Sequence, residues 1–413
     1  MLQKIGENAK NASYELQNKT TWEKNQILEE ISNQLSLHAE EIIEANTIDM
    51  ENGKNNGLSE GLLDRLLINE DRIKGMQESV KVVYDLEDPI GEVNHMKTMP
   101  NGLKIGQASV PLGVVAIIYE ARPNVTLDCS ILCLKSSNAL VLRGGKEAIE
   151  TNKAIVNAIR KAFEINNTNP DCVQLIEDTT RQSAQELMKL NEYINVLIPR
   201  GSRGLIQSVV QNATVPVIET GEGNCHIYVD ESADIEMALN IIENAKTQRI
   251  GVCNAMESLL VHENIGDEFY TGLNQIIDKY NIDVYACENS IGKIENAKAA
   301  DDEDYYKEYL DYAFSVKVID SVETAIRHIE KYGTHHSDVI VTQDYDNSLS
   351  FTSGVNSACV YVNASSRFTD GAEFGMGAEM GISTQKLHVR GPVGLKGLTS
   401  SKYIILGQGQ VRS

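Results

Sequence analysis

The chain lacks the sequence features of several large protein classes. No run of about 18 apolar residues occurs, and the first ten residues hold no apolar core, so we expect neither a membrane-spanning helix nor a signal peptide. The seven cysteines are scattered and include no Cys-x-x-Cys pair, so we expect no disulfide framework and no metal site. Reduced thiols without a leader favour a cytoplasmic location.

Positive charge is also scarce. Lysine and arginine number 37 against 59 aspartate and glutamate residues, which gives a formal net charge of −22. A chain this acidic repels nucleic acid and anionic membranes, so we expect neither as a partner. If the protein binds a phosphate group, it needs cations placed locally.

The length of 413 residues exceeds one ordinary core and indicates two or three domains. Through about residue 90, apolar residues recur every three or four positions, which predicts amphipathic helices interrupted at Asn52-Gly53 and Asn56-Gly57. A turn at Met99–Gly102 then separates two short segments within residues 94–112, which predicts a hairpin.

From residue 113 onward, short apolar runs alternate with helical stretches, which predicts parallel, doubly wound sheet. The predicted strands of a first series are Val114–Ile118, Ala139–Leu142, Val173–Ile176, Asn195–Ile198, Val215–Ile218 and His226–Val229. Those of a second series are Ser258–His262, Asp283–Ala286, Ser315–Val318, Asp338–Val341 and Ala358–Asn363.

We therefore predict an α/β fold in three parts. A Rossmann-like cofactor domain takes residues 1–93 and 113–230, and an α/β catalytic domain takes residues 231–363. A small β oligomerisation element takes the hairpin 94–112 and the tail 374–413. The tail ends in an extended segment that could pair with the hairpin of a partner chain, so we expect a homo-oligomer, either a dimer or a tetramer.

The two common phosphate-binding fingerprints, Walker A and Gly-x-Gly-x-x-Gly, are missing at the strand-to-helix junctions. Two weaker loops remain, and each offers backbone N–H groups, cations and a following helix N-terminus. The residues concerned are Arg143, Gly144, Gly145 and Lys146 in the first loop, and Pro199, Arg200, Gly201 and Ser202 in the second. Either loop alone could be a plain turn with solvated charges, but their occurrence at two strand ends favours an anionic dinucleotide.

Cys253 lies in a small-residue turn that runs into an apolar strand, and this context presents a thiol at the mouth of the strand. A thiolate can attack an activated acyl group and form a thioester, which accepts hydride where a carboxylate does not. The alternative is a buried structural cysteine, since free cysteine is among the most buried residue types.

Asn124 follows the strand Val114–Ile118, and its amide could stabilise a developing oxyanion. It could equally cap the helix that begins near Pro123. Arg122, two residues earlier, could bind an acyl phosphate or a carboxylate bidentately, or it could pair with Glu120.

The chain resembles the gamma-glutamyl phosphate reductase branch of the aldehyde dehydrogenase superfamily over nearly its whole length. The segments that carry the resemblance are Asn56–Leu58, Asp64–Leu66, Pro89–Val93, Tyr119–Thr126, Leu142–Gly145, Ile198–Gly201, Cys225–Asp230, Cys253–Glu257, Tyr332-Gly333 and His336–Asp338. The runs at Cys253 and His336 are the most specific to the branch, whereas Arg143–Gly145 alone would be weak.

This resemblance implies an enzyme that reduces L-glutamate 5-phosphate to L-glutamate 5-semialdehyde with NADPH, the second step of proline biosynthesis. Cys253 would be the nucleophile that displaces phosphate, and Asn124 with the Cys253 backbone N–H would form the oxyanion hole. The active site would lie between the cofactor and catalytic domains. A glutamate 5-kinase is a further expected partner.

Two arguments concern the cofactor. Lys146 falls near the place where NAD-using relatives carry an acid that binds the adenosine ribose, and Lys146 with Arg143 would attract a 2′-phosphate, which favours NADPH. Glu308 is similar to the superfamily glutamate that holds the nicotinamide ribose, although an exposed helix acid is the alternative.

Glu219 occupies roughly the position of the base that activates water in hydrolytic relatives. A reductase must keep water from its thioester, so we assign Glu219 no catalytic role. Gly221–Asn224 departs from the pattern of those relatives, which weakens the nearest rival, an oxidising aldehyde dehydrogenase. The other rival is a non-catalytic scaffold, which would leave Cys253 unreactive. His335, His336 and the remaining cysteines are interpreted as structural.

Overall fold

The computed structural model describes residues 2–412 of the chain. It divides into two compact units. The first contains the residues up to Thr220, together with Gly375–Gly381 and the segment from Val393 onward. The second contains Gly221–Phe374 and Ile382–Pro392.

The first unit begins with helices, as the apolar periodicity predicts. These are α1 (Leu2–Leu16), α2 (Thr21–Leu37), α3 (Ala39–Asn55), α4 (Glu60–Leu66) and α5 (Glu70–Asp85). Thr20 caps α2 in a capping box with Glu23, and Asn69 caps α5 through its side chain. The prediction that Asn52-Gly53 interrupts a helix is wrong, because both residues lie inside α3 and only Asn56-Gly57 ends it.

A parallel sheet follows, with the order β5-β4-β3-β6. Its strands are β3 (Val114–Tyr119), β4 (Ala139–Gly144), β5 (Val173–Leu175) and β6 (Val196–Arg200), and they follow the hairpin strands β1 (Val93–Thr98) and β2 (Lys104–Pro111). The accompanying helices are α6 (Pro123–Lys135), α7 (Ile149–Ile165), α8 (Arg181–Leu187) and α9 (Arg203–Asn212). Every residue of β3 is buried, as expected for a central strand with both faces covered.

The hairpin and the tail form a separate three-stranded sheet within the first unit. The C-terminal strand Thr399–Leu406 pairs antiparallel with β2 of the same chain, from Thr399 opposite Pro111 to Leu406 opposite Lys104. This sheet therefore needs no second chain, which corrects the expectation that the tail pairs with a partner's hairpin.

The second unit is built on a seven-stranded sheet with the order β10-β9-β11-β8-β7-β12-β13. Its strands are β7 (Cys225–Val229), β8 (Met256–His262), β9 (Asp283–Ala286), β10 (Lys298–Ala299), β11 (Ala313–Ile319), β12 (Ser337–Val341) and β13 (Cys359–Val362). Its helices are α10 (Ile235–Thr247), α11 (Asp267–Tyr280), α12 (Val322–Tyr332) and α13 (Tyr345–Gly354). A small hairpin of β14 (Ile382–Ser383) and β15 (Gly391–Pro392) completes the unit.

The predicted α/β class is confirmed, but two predicted strands are placed differently. The segment His226–Val229 lies in β7, which pairs with β8 and β12 and so belongs to the second unit. Val215–Ile218 makes only an isolated bridge from Val217 to Leu197. The sequence could not distinguish these two cases, because an alternation of helices and strands does not show which sheet a strand joins. Among residues 2–412, the helices are all too short or too polar to cross a membrane.

Candidate active site

Cys253 lies in the turn immediately before β8 and is half-buried. The amide of Ala255 donates to the carbonyl of Val252, which closes the turn around the cysteine. Fully apolar packing would bury a structural cysteine, so this half-buried position favours the chemical role over the structural alternative. All seven cysteines of the sequence are unbridged.

Gly223 lies in direct contact with the backbone of this turn. A Cβ atom at position 223 would come within 1.3 Å of the Cys253 carbonyl oxygen, so no residue but glycine fits this backbone. The buried thiol of Cys225 donates to the same oxygen at 3.1 Å. Burial raises the pKa of Cys225 well above its ordinary value, which keeps it a neutral donor. The carbonyl of Cys253 is therefore fixed from two sides.

The following residue, Asn254, anchors the turn to a segment more than a hundred residues away. Its side-chain amide donates to the carbonyl of Thr369 at 2.9 Å, and its own carbonyl accepts the hydroxyl of Ser366 at 2.7 Å. Because both neighbours of the thiol are held, the Cys253 side chain starts from a defined backbone position.

Arg367 supplies positive charge to this turn. Its guanidinium interacts electrostatically with the Cys253 thiol, and its Nε donates to the side chain of Gln248 at 3.0 Å. Burial and the nearby Arg249 lower the pKa of Arg367, while Cys253 opposes that shift. A cation beside a thiol stabilises the thiolate, which is the nucleophilic form.

Replacing Arg367 with glutamine should therefore slow alkylation of Cys253 by iodoacetamide at neutral pH. Loss of one nearby cation should shift the pH dependence of alkylation upward, so the rate near pH 7 should fall roughly tenfold. Arg327→Gln, which changes the charge on α12 away from this turn, is the matched control. Unchanged pH dependence in Arg367→Gln would show that this cation does not activate the thiol.

Glu308 accepts a hydrogen bond from the amide of Gly223 at 2.8 Å. It lies half-buried in an extended segment after the turn Asp304–Tyr306, so the alternative of an exposed helix acid is wrong. The carboxylate thus joins its loop to the glycine that contacts Cys253.

The buried pair Glu257 and Lys246 holds the loop that carries Glu308. Lys246 donates to Glu257 at 2.8 Å, and Glu257 also accepts the amides of Tyr309 and Leu310 at 3.2 and 3.3 Å. Leu310 has a φ of 53°, a costly conformation that persists only where surrounding contacts impose it. Burial raises the pKa of Glu257, and Lys246 opposes the shift. Glu257 therefore fixes the position of the residues next to Glu308.

Asn224 fastens the other end of the Gly221–Asn224 segment. Its side-chain amide donates to the carbonyls of Tyr305 and Tyr332 at 2.8 and 2.9 Å, and its backbone amide donates to Thr334 at 3.0 Å. Residues Gly221–Asn224 thus make hydrogen bonds and close backbone contacts around Cys253 and Glu308.

In the first unit, the strand register brings several predicted site residues to one edge of the sheet. Tyr119 at the end of β3 lies opposite Gly144 of β4 and Arg200 of β6. The loops that follow these three strands therefore share the carboxyl edge, where open α/β sheets bind their ligands. The sequence placed Asn124 and both cation-bearing loops there.

Asn124 is exposed at the start of α6, and the helix has no side-chain capping hydrogen bond. Arg122 occupies the N-cap position and Pro123 the first turn, so the alternative of Asn124 as a helix cap is wrong. The Asn124 amide is left at the surface of the carboxyl edge, which fits a role toward a ligand.

The two cations of the first loop, Arg143 and Lys146, differ in their contacts. Arg143 donates to the carbonyls of Thr179 and Thr180 at 2.6 and 2.8 Å, so its guanidinium holds a neighbouring turn. Burial lowers the pKa of Arg143. Lys146, by contrast, is exposed at the first position of a short 3-10 turn that has no side-chain cap.

The second loop is closed by a carboxylate. Glu120 accepts both the backbone amide and the hydroxyl of Ser202, at 2.8 and 2.9 Å. A Cβ atom at Gly201 would lie 2.6 Å from the Glu120 carboxylate, and the Pro199 carbonyl accepts the hydroxyl of Thr220. An acid therefore occupies the helix N-terminus that the sequence suggested for a phosphate.

His336 and most of the other cysteines are buried, whereas His335 is half-buried. His336 is buried beside Cys225 and accepts from or donates to Ser337 at 2.8 Å, and burial lowers its pKa to about 4. Cys287 is the exception among the other cysteines, because it is only half-buried. Among residues 2–412, His, Cys, Asp and Glu side chains form no cluster of three or more that could hold a metal ion.

Sequence reasoning missed Arg367, Glu257 and Cys225 as residues around the reactive turn. Arg367 is separated from Cys253 by more than a hundred positions, and nothing in its local pattern marks it. Glu257 offered the better signal, since a charged residue inside the apolar strand β8 requires a buried partner.

Comparison with known proteins shows the family to which the chain belongs. A model of the Aldehyde dehydrogenase family matches residues 2–311. The chain belongs to the aldehyde dehydrogenase family. Gamma-glutamyl phosphate reductase from Heliobacterium modesticaldum is 54% identical over 407 residues, which is 98% of each chain. The protein of the same name from Clostridium novyi is 56% identical over 404 residues, covering 98% of this chain and 97% of that one.

A solved structure of high similarity comes from the same branch of the family. The crystal structure of gamma-glutamyl phosphate reductase from Thermotoga maritima has 47% identity to the chain and a TM-score of 0.98 over the full length of both. These findings confirm the predicted aldehyde dehydrogenase fold and the resemblance on which it rested. This member of the aldehyde dehydrogenase family is accordingly an oxidoreductase.

Proposed function

We propose that the chain reduces L-glutamate 5-phosphate to L-glutamate 5-semialdehyde and phosphate, using NADPH and a thioester on Cys253. The observation that carries the proposal is the half-buried Cys253, in a turn fixed by Gly223, Cys225 and Asn254 and provided with a nearby cation, Arg367. The names of the curated relatives support the same substrate.

Cys253 acts as the nucleophile. Its thiolate attacks the acyl carbon of the substrate, a C–S bond forms, and the C–O bond to phosphate breaks with release of phosphate. Hydride then adds to the thioester carbon and the carbonyl oxygen takes the negative charge. When this oxygen re-forms the C=O bond, the C–S bond breaks, the semialdehyde leaves and the thiolate returns.

Asn124 stabilises the negative charge on that oxygen. Its exposed amide donates a hydrogen bond to the oxyanion together with the backbone N–H of Cys253, a contribution of about 3 kcal/mol per donor. Arg122 binds an anionic group of the substrate. No residue is assigned to activate water, because hydrolysis of the thioester would release glutamate instead of the semialdehyde.

The cofactor assignment rests on Lys146, an exposed cation at the carboxyl edge. Lys146 is exposed and precedes α7, so its ammonium group suits the 2′-phosphate of NADPH. Arg143 contributes by holding the turn at Thr179 and Thr180 rather than by reaching a phosphate. Glu308 binds the nicotinamide ribose from a loop fixed by Glu257. When bound, NADPH supplies the hydride.

Phosphate dependence tests the proposal. In the reverse direction, NADPH formation from L-glutamate 5-semialdehyde and NADP⁺ should require inorganic phosphate, since phosphate is the group that releases the acyl chain from Cys253. Absorbance at the NADPH band follows the reaction with and without phosphate, and sulfate at equal ionic strength is the control. Sustained turnover without phosphate would point to an oxidising aldehyde dehydrogenase instead.

The expected assembly state and partner are separate proposals. Members of this family are typically oligomers, so we propose a homo-oligomer and retain the glutamate 5-kinase partner as a prediction. We also propose a cytoplasmic location, which is consistent with seven unbridged cysteines.

A further inference from the structure

Helix α6 is buried along nearly its whole surface. The buried set covers Pro123 and every residue from Val125 to Lys135 except one. The two residues of the helix that are not buried are Asn124, which is exposed, and Asp128, which is half-buried. They are four positions apart, so their side chains lie on one face of the helix with Cβ atoms about 6 Å from each other.

Asn124 and Asp128 form the accessible strip of α6, which therefore presents one amide and one carboxylate. An aspartate on a helix that is otherwise almost wholly buried requires a reason, because charged groups leave water only at a cost. Burial raises the pKa of Asp128 to about 6, and the charge of Arg200 opposes that shift. No hydrogen bond contributes to the pKa of this carboxylate among the described residues.

Arg200 does not satisfy Asp128 as an ion-pair partner. Among residues 2–412, no ion pair within 4.0 Å joins the two side chains, and their interaction is electrostatic over a longer distance. A Cβ atom at Gly381 would lie 2.3 Å from the Arg200 guanidinium, so that side chain is packed against the Gly381 backbone. The carboxylate therefore remains available to a cationic group from a ligand.

The spacing on the strip matches one class of ligand. In an amino acid activated at its 5-carboxyl, the carbonyl carbon and the amino nitrogen are separated by a short carbon chain that spans about 5 Å when extended. With the carbonyl oxygen at the Asn124 amide, the ammonium group would reach the carboxylate one helical turn further along α6.

We propose that Asp128 binds the α-ammonium group of the amino-acid substrate and so selects glutamate derivatives over acyl groups that lack an amine. This inference rests on the proposed function, and it adds a specificity residue to it. The ammonium group donates to the Asp128 carboxylate in a charge-assisted hydrogen bond, and the ion pair fixes how far the acyl carbon lies from Asn124.

The test compares two aldehydes in the phosphate-dependent reverse reaction, L-glutamate 5-semialdehyde and 5-oxopentanoate, which both carry the carboxylate and differ only in the α-amino group. Asp128→Asn should lower kcat/KM for the amino-acid aldehyde on the order of 100-fold, since one partner of a partly desolvated charge pair is lost. The same variant should change kcat/KM for 5-oxopentanoate less than about threefold. A third aldehyde, 2-hydroxy-5-oxopentanoate, keeps the carboxylate and replaces the amine, and it should behave like 5-oxopentanoate in the variant.

Glu164→Gln is the matched control, because it removes one acid from the exposed face of α7, where Glu164 pairs with Lys161. It should leave every kcat/KM value unchanged. Asp128→Glu keeps the charge but moves it by one methylene, so it should retain part of the preference for the amino-acid aldehyde. If Asp128→Asn does not fold, the same kcat/KM values are compared in this variant.

Equal losses of kcat/KM on all aldehydes in Asp128→Asn would overturn the inference and make Asp128 a structural residue. An unchanged preference for the amino-acid aldehyde in this variant would overturn it as well. So would a variant whose only changed constant is KM for NADP⁺. A wild-type protein that oxidises L-glutamate 5-semialdehyde only with phosphate, but without preference for the amine, would overturn the inference alone. Failure of the wild type to use phosphate at all would overturn the proposed function and this inference with it.

Discussion

Replacing Cys253 with alanine should abolish turnover while the protein stays folded. The thiolate makes the only covalent bond between protein and substrate in the proposed reaction, so its removal should lower kcat by a factor on the order of 10⁴ to 10⁶. The residue is half-buried and lies in a turn, so the loss of its side chain should cost little stability. Steady-state kinetics and thermal unfolding measure the two effects separately.

Cys287→Ala is the matched control for this variant. Cys287 is the other half-buried cysteine and lies at the end of β9, where its sulfur accepts the amide of Val318. This control should keep kcat within about threefold of wild type. Substantial residual turnover in Cys253→Ala, above the level of the uncatalysed reaction, would remove Cys253 from the mechanism.

Replacing Gly223 with alanine should damage the same site through the backbone. The added Cβ atom would meet the Cys253 carbonyl at 1.3 Å, so the turn or the Gly221–Asn224 segment must move. A displacement of about 1 Å at a reacting group costs on the order of 100-fold in rate. The hydrogen bond from the Gly223 backbone amide to the Glu308 carboxylate should be disturbed as well, which should raise KM for the cofactor.

The free energy of unfolding should also fall in Gly223→Ala, by about 1 to 3 kcal/mol, because overpacking forces backbone shifts. Gly292→Ala is the matched control, since a Cβ atom there would meet open space and the backbone does not require glycine. Denaturant unfolding and initial rates should leave Gly292→Ala close to wild type. Wild-type kinetics in Gly223→Ala would mean that the close contact does not shape the reactive turn.

The sequence predicted the class of fold well because apolar periodicity reports it directly. The strand Asp283–Ala286 was placed at its observed bounds, and the hairpin within residues 94–112 formed around its turn. Assignment of strands to sheets was less reliable. The segment His226–Val229 joins the second sheet, and only the pairing with β8 and β12 decides this.

The candidate site was predictable where a residue type carries its own chemistry. Cys253 and Asn124 were identified from the turn and strand that precede or follow them. Arg143 and Ser202 show why other expectations depended on the structure. The cation Arg143 after β4 is visible in the sequence. The carbonyls of Thr179 and Thr180 that accept its hydrogen bonds lie in a distant turn, which the sequence does not show. In the same way, the amide of Ser202 is taken by Glu120 of another loop.

A second kind of residue was invisible for the same reason. The roles proposed for Arg367 and Asp128 depend on what lies near them in space, and a single sequence does not show those neighbours. Asp128 was nevertheless marked by one signal, because it is the only charged residue from Pro123 to Leu134. A charged residue within an otherwise uncharged segment is therefore a candidate functional residue.

The thioester on Cys253 is the central claim, and a single-turnover experiment without phosphate tests it most directly. L-Glutamate 5-semialdehyde and NADP⁺ are mixed with the enzyme in phosphate-free buffer, and NADPH is followed by stopped-flow absorbance while the intact protein mass is recorded. The account predicts a burst of one NADPH per active site, an acyl group on Cys253, and renewed turnover once phosphate is added. A linear, phosphate-independent rate with no acyl-enzyme would contradict it.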